Sequence, residues 1–238
     1  MTPFDITLTA NAGVMLRSGK TKLFCDALHR HKTENFSALS PEMQAKMISS
    51  ADFFGVEAMI FTHKHPDHYS KTLISAAKKL LPDAALISPA PDFADQILLT
   101  DERHHIRLKD FELDFIRLTH EGAQFVDVAN YGFLLSVCDK NILITGDSHI
   151  AEPKIADWLA GRNVDLALLN FPWLTLRRGR EFIADVIKPH QVMFYHIPFV
   201  QDDRCGFREA CKKSIPLLDK CFSPLLLTEP FQTEHILL

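Results

Sequence analysis

Residues Thr62-His63-Lys64-His65-Pro66-Asp67-His68-Tyr69 place three imidazoles and a carboxylate within six positions, directly after the mostly apolar run 56–61. Imidazoles crowded this closely repel one another when protonated and leave lone pairs unsatisfied when neutral. Neutral imidazole nitrogens and carboxylate oxygens are, however, good ligands for zinc, iron or manganese. A divalent metal resolves the conflict. With 12 His and 19 Asp in 238 residues, H-x-H-x-D-H arises by accident in roughly two chains per thousand. An incidental histidine-rich surface loop is thereby disfavoured.

The elements around this cluster follow from local pattern. Segments 6–8, 14–16 and 22–25 read as short antiparallel strands separated by Asn11-Ala12-Gly13 and Ser18-Gly19-Lys20, the last ending at Asp26. Ser40-Pro41-Glu42 offers an N-cap, a proline at N1 and an acidic first turn, so a helix starts there. Residues 56–61 form a strand that delivers the histidines, and Ser70 caps a helix with Leu73, Ile74, Ala77, Leu80 and Leu81 at helical spacing. A strand at 84–87 and a helix at 93–99 are expected next. Alternation over 111–118 predicts a strand ending near His120, and 131–137 with 141–145 predicts a hairpin ending near Asp147, with Cys25 and Cys138 inside strands. A helix opened by Glu152-Pro153 and closed by Gly161, a buried strand at 164–171, a helix at 181–187 and a strand at 191–195 before His196 follow. An amphipathic helix after Asp203, broken by Pro216, and final strands within 225–238 complete the chain.

Five separate segments thus deposit Asp26, the 63–68 cluster, His120, Asp147 and His196 at strand ends, where loops gather at one edge of a sheet and active sites are commonly built. His29, His31, His104, His105, His190 and His235 show no such placement and read as solvated or locally bonded. The alternation of hairpins with helices predicts a mixed α/β sandwich with helices outside, one domain spanning 1–238. A net charge of -4 lacks the basic field that dominates nucleic-acid binding. Five cysteines without a C-x-x-C pair suit reduced thiols and a cytoplasmic location, and neither a signal sequence nor an apolar run of membrane-spanning length is evident.

These motifs resemble the metallo-β-lactamase superfamily, whose order is a strand-ending Asp, H-x-H-x-D-H, a lone His, a lone Asp and a final His. Here they read Phe24-Cys25-Asp26, His63 to His68, Leu118-Thr119-His120, Thr145-Gly146-Asp147-Ser148 and Phe194-Tyr195-His196. The resemblance implies a four-layer αβ/βα sandwich with two divalent metals at its edge, zinc foremost, manganese or iron as alternatives. His63, His65 and His120 would hold one metal, Asp67, His68 and His196 the other, and Asp147 would bridge them. Asp26 would orient a ligand imidazole. Ala27 departs from the Pro or Gly that often follows this first Asp, which bears on loop geometry. The hairpin ending at Asp147 is similar to that of the ascorbate-6-phosphate lactonase-like branch.

Two such ions about 3.5–4 Å apart share a hydroxide, since metal binding brings the pKa of water toward ~7. Charge counting leaves an inner site of about +1, suited to a small anionic substrate or transition state. Hydrolysis of a lactone, ester, thioester or phosphodiester is the expectation, with Asp67 and Asp147 as catalytic carboxylates. An iron oxidoreductase on the same ligands and, further back, a metal-dependent nuclease are the alternatives. Trp173, Arg177, Arg178 and Arg180 either line the mouth and bind an acidic group, or are a core tryptophan and a solvated basic stretch. Tyr69 either donates to substrate or packs at its helix start, and Lys64 should point away from the ligands.

Overall fold

The computed structural model describes residues 2–30, 33, 35–218 and 222–238; His31 and Cys221 lie outside the described residues. Alternating apolar positions build two seven-stranded sheets. The first contains β1 (Pro3–Ala10), β2 (Gly13–Ser18), β3 (Thr21–Cys25), β4 (Ala58–Ile60), β5 (Ala85–Ser88), β6 (Ile97–Leu98) and β14 (Thr233–Leu237), in the order β14-β1-β2-β3-β4-β5-β6. The second contains β7 (Arg103–Leu108), β8 (Phe111–Leu118), β9 (Asn130–Val137), β10 (Lys140–Ile144), β11 (Leu166–Asn170), β12 (Gln191–Tyr195) and β13 (Leu225–Leu226), in the order β13-β12-β11-β10-β9-β8-β7. Each sheet begins as an antiparallel meander and continues as parallel strands from β3 or β10 onward.

The period of two decides which side chain enters which layer. From β9 to β12, Phe133, Leu135, Ile142, Ile144, Leu166, Leu168 and Met193 join the core shared with the first sheet. The intervening Leu134, Leu143, Ala167, Leu169, Val192 and Phe194 join a second core. That second core is closed by helices α3 (Pro153–Leu159), α4 (Pro172–Thr175), α5 (Arg177–Phe182) and α6 (Phe207–Ser214). Helices α1 (Pro41–Ser49) and α2 (Lys71–Leu80) cover the first sheet through Met47, Ile74 and Ala77. Four layers result, helix–sheet–sheet–helix. No helix among the described residues is long and apolar enough to cross a membrane.

Local signals hold at most element starts. Ser40 Oγ accepts from Met43 N at 3.2 Å, and Ser70 caps α2. Several expectations are corrected. Residues 93–99 are not helical, because the Gln96 side chain takes Phe93 N and donates to Ser88 O and Ala90 O, which holds Ile97–Leu98 parallel to β5. Strand β7 has no clear sequence signal, because Arg103-His104-His105-Ile106-Arg107 is an edge with little apolar alternation. The helix expected at 181–187 starts earlier, at Arg177, and ends as a π-helical turn over Ile183–Ile187. Cys138 is exposed in the β9–β10 turn, where it and Asp139 both take positive φ, as a two-residue hairpin of this twist requires. Cys25 is buried as expected.

Candidate metal centre

The parallel crossovers end on one edge of the sandwich. Strand β3 stops at Asp26, β4 leads into His63–His68, β10 into Asp147 and β12 into His196, while β8 brings His120. Asp26 and His196 take φ of 50° and 62°, a left-handed conformation costing about 1–3 kcal/mol in a non-glycine residue. Backbone bonds hold both: Asp26 N donates to Ile60 O at 2.9 Å and His196 N to Asn11 O at 3.1 Å. Gly146, at φ 56°, makes the turn into Asp147, and a Cβ there would lie 2.6 Å from Asn130 Oδ1 and 2.9 Å from Thr62 Cβ.

These segments converge. Ligating atoms of His63, His65 and His120 lie within 4.8 Å of one another, as do those of His63, His68 and Asp147, and those of Asp67, His68 and His196. Asp147 Oδ2 stands 3.3 Å from His68 Nε2, 3.5 Å from His196 Nε2, 3.9 Å from His120 Nε2 and 4.0 Å from His63 Nε2. Its Oδ2 thus lies within 4.0 Å of four of the five clustered imidazoles. His196 Nε2 lies 3.6 Å from Asp67 Oδ2.

The surrounding hydrogen bonds set the imidazole tautomers. Buried Asp26 accepts from Thr62 N at 2.8 Å, from Thr62 Oγ1 at 2.7 Å and from His68 Nδ1 at 3.0 Å. With its proton given to Asp26, Thr62 Oγ1 accepts from His63 Nδ1 at 2.9 Å. His120 Nδ1 donates to Glu121 O at 2.7 Å. His63, His68 and His120 therefore each turn a bare Nε2 lone pair inward, onto a carboxylate and other imidazoles. His68 Nε2 approaches His196 Nε2 to 3.0 Å, and His120 Nε2 approaches His63 Nε2 to 3.4 Å. Acceptors meeting acceptors in a buried space need cations between them, so this donor set fits divalent metal.

In the metal-free set the imidazoles diverge: His63 and His65 favour the neutral form, whereas His68 favours the protonated one. Burial and the neighbouring His68 hold the His63 pKa well below the usual imidazole value, and burial with His120 lowers that of His65. Burial would also lower His68, but Asp147 and Asp26 outweigh it and raise its pKa well above normal. Burial would raise Asp147, yet His196 and His68 hold its carboxyl well below the usual range. The ligands crowd their charges and relieve one another only partly.

Sequence reasoning missed several supports. Asn130 Oδ1 accepts from Asp147 N at 3.1 Å, and Asn170 Nδ2 donates to Asp147 Oδ1 at 3.1 Å, which leaves Oδ2 aimed at the imidazoles. Neither asparagine carries a motif signal; each is placed only by tertiary pairing. Thr62 does adjoin the cluster, and a hydroxyl beside a ligand histidine was its available clue.

The outer candidates divide. Tyr69 packs edge-on against Phe61 and donates its hydroxyl to Asp92 Oδ2 at 3.0 Å, so it serves its helix start. Lys64 turns to the same Asp92, 3.1 Å away. Trp173 is fully buried in the second core beside Phe182 and does not face a mouth. Arg177 pairs with Glu181 along an exposed helix face, and Arg180 Nη1 caps Leu174 O and Thr175 O. Arg178 reaches Glu121 at 3.4 Å, one residue from the candidate ligand His120. Of the other histidines, His29 is buried, not solvated, with Nε2 donating to Ala10 O at 2.9 Å. His104, His105, His190 and His235 make local contacts, with the Thr100 and Asp101 amides, Glu112, Asp165 and Asp5.

No family model matches the sequence, and no curated protein matches it. Solved structures do. The metallo-β-lactamase fold protein YhfI from Bacillus subtilis superposes with TM-score 0.63 at 13% identity, over 99% of this chain and 100% of that one. Igni18, a metallo hydrolase from the archaeon Ignicoccus hospitalis, gives 0.67 at 14% identity over 99% of each. CmlA, a diiron β-hydroxylase from Streptomyces venezuelae, gives 0.64 at 14% identity over 99% of this chain and 54% of that one. The two stacked sheets, their outer helices and the histidine–aspartate edge together make this protein one of metallo-β-lactamase fold.

Proposed function

We propose that the protein is a metal-dependent hydrolase of a small molecule, carrying two divalent ions. The observation that supports it is the convergence of seven candidate ligand residues from four segments, with the tautomers of His63, His68 and His120 set by partners that expose only lone pairs. When bound, such a metal pair supplies a water acidic enough to attack near neutral pH and polarises the attacked centre. The protein's own groups do the rest. Asn170 and Asn130 hold Asp147 in one orientation, Asp26 and Thr62 fix two imidazoles, and Asp67, at the cluster's edge, receives the proton released on attack and returns it to the leaving group. Zinc is the metal we favour, with manganese or iron compatible with the same donors. A carbonyl or phosphoryl centre of a lactone, ester, thioester or phosphodiester is the target, and a residual charge of about +1 favours the anion formed in the transition state.

The test is turnover. Metal-loaded protein assayed against lactones, thioesters and phosphodiesters should hydrolyse at least one, and Asp147→Ala or His65→Ala should abolish that activity with the near-UV circular dichroism retained. Full activity in a folded Asp147→Ala variant rejects the assignment. A second reading, oxidation at iron in the same ligands, draws on the likeness to a diiron hydroxylase. Iron in protein purified from its native host, with oxygen consumption and no hydrolysis, would select it.

A further inference from the structure

Phe125 occupies a position that core packing does not require. It ends the short 3-10 turn Ala123–Phe125 in the β8–β9 loop, belongs to neither hydrophobic core, and is only half-buried. Its ring instead stands edge-on to two ligand imidazoles, 4.7 Å from His65 and 5.2 Å from His120 between centroids. Val126 beside it is 57% exposed. At the other end of the cluster Phe36 meets His196 edge-on at 4.5 Å and leans on Phe207 and Phe171. Among the ligands, His63, Asp67, His68, His120 and His196 are buried, whereas His65 and Asp147 keep contact with solvent. A molecule approaching the centre past His65 therefore meets the Phe125 ring. Arg178 and Arg177, the cations that the sequence offered for a mouth, are engaged by Glu121 and Glu181.

We propose that Phe125, with Phe36 at the opposite end, forms an apolar wall of the substrate pocket and is the specificity-determining residue for an uncharged carboxylic ester, lactone or thioester bearing an alkyl or aryl group beside its carbonyl. This deepens the hydrolytic reading and rests on it. In the reaction the water oxygen bonds to the acyl carbon and the bond from that carbon to the leaving oxygen or sulfur breaks. One water proton goes to the leaving group, and the acid product ionises. Negative charge thus appears on attack and need not be carried in by the substrate, so aromatic carbon rather than cationic side chains suits the wall. Each methylene that the wall takes out of water tightens binding roughly fourfold.

The test reads binding, not turnover. Zinc-loaded protein is titrated by calorimetry with straight-chain hydroxamates from acetohydroxamate to hexanohydroxamate. The expected result is a Kd that falls about fourfold per methylene over at least the first two additions, a slope that flattens in Phe125→Ala and is largely restored in Phe125→Leu. Affinity independent of chain length in the wild type, or an equal slope in Phe125→Ala, overturns the wall. Because Phe125 is outside both cores, the variants test the pocket and not the fold. A chain-length slope in a protein that hydrolyses nothing defeats the hydrolase assignment alone, and a hydrolase with a flat series defeats the wall alone.

Discussion

Asp26→Asn is the most informative single change, because one buried carboxylate satisfies three donors that between them set two imidazoles. An amide in its place keeps one acceptor oxygen, enough for Thr62 N. Its NH2 then faces the Thr62 hydroxyl and His68 Nδ1–H, so two buried donors lose their acceptor. At about 1–3 kcal/mol for each unsatisfied buried group, a loss near 3 kcal/mol is expected. For a chain of this length that is roughly 6–12 °C in Tm. His68 escapes only by moving its proton to Nε2, into the space shared with Asp147 and His196, where it blocks a ligand lone pair. Metal affinity should consequently fall about 10–100-fold, the usual effect of losing a partner behind a ligand. Scanning calorimetry of metal-free protein gives the first quantity and zinc competition against a chromogenic chelator the second. A variant with Tm within 2 °C of wild type and unchanged zinc affinity refutes the assignment of Asp26 as the group that orients His68.

Further expectations follow from individual residues. His29, fully buried with its pKa lowered to about 4 by burial, stays neutral while the unfolded chain protonates near 6.5. It contributes no pH dependence above that value but costs stability as pH falls from 6.5 toward 4, in total roughly 3 kcal/mol. Metal-free His29→Gln should therefore lose less Tm than wild type between pH 7 and 5, and parallel pH profiles would contradict this. Gly146→Ala places a methyl against Asn130 Oδ1 at positive φ, and should destabilise the protein by about 1–3 kcal/mol while weakening metal binding; denaturant melts and chelator competition measure both. Metal removal should lower Tm, because free metal at 1,000 times Kd adds about 4 kcal/mol to the folded state; a chelator that leaves Tm unchanged shows that nothing was bound.

What the chain discloses before folding depends on how local the cause is. The 63–68 cluster carries its own electrostatic conflict, and Asp26, His120, Asp147 and His196 each end or closely follow a segment whose alternation is strong, so their meeting could be anticipated from strand ends alone. Caps such as Ser40 and Ser70 act within three residues and are equally legible. Residues 93–99 misled because their pattern is compatible with a helix, while the deciding force is a tertiary one, strand pairing to β5 fastened by Gln96. Trp173 and Arg178 illustrate the same limit: whether an aromatic or a cation after a buried strand faces a ligand depends on the turn that Pro172–Thr175 makes, and that turn sends Trp173 inward and brings Arg178 to Glu121. Asn130 and Asn170 lie deeper still. Each is an ordinary polar residue at the end of a strand, and each matters only because register sets it beside Asp147. Ligands can be recognised from chemistry that crowds in sequence, whereas the groups that aim them exist only once the two sheets are stacked. Substitutions at Asn130 and Asn170 should on this reasoning perturb metal binding without resembling any motif loss.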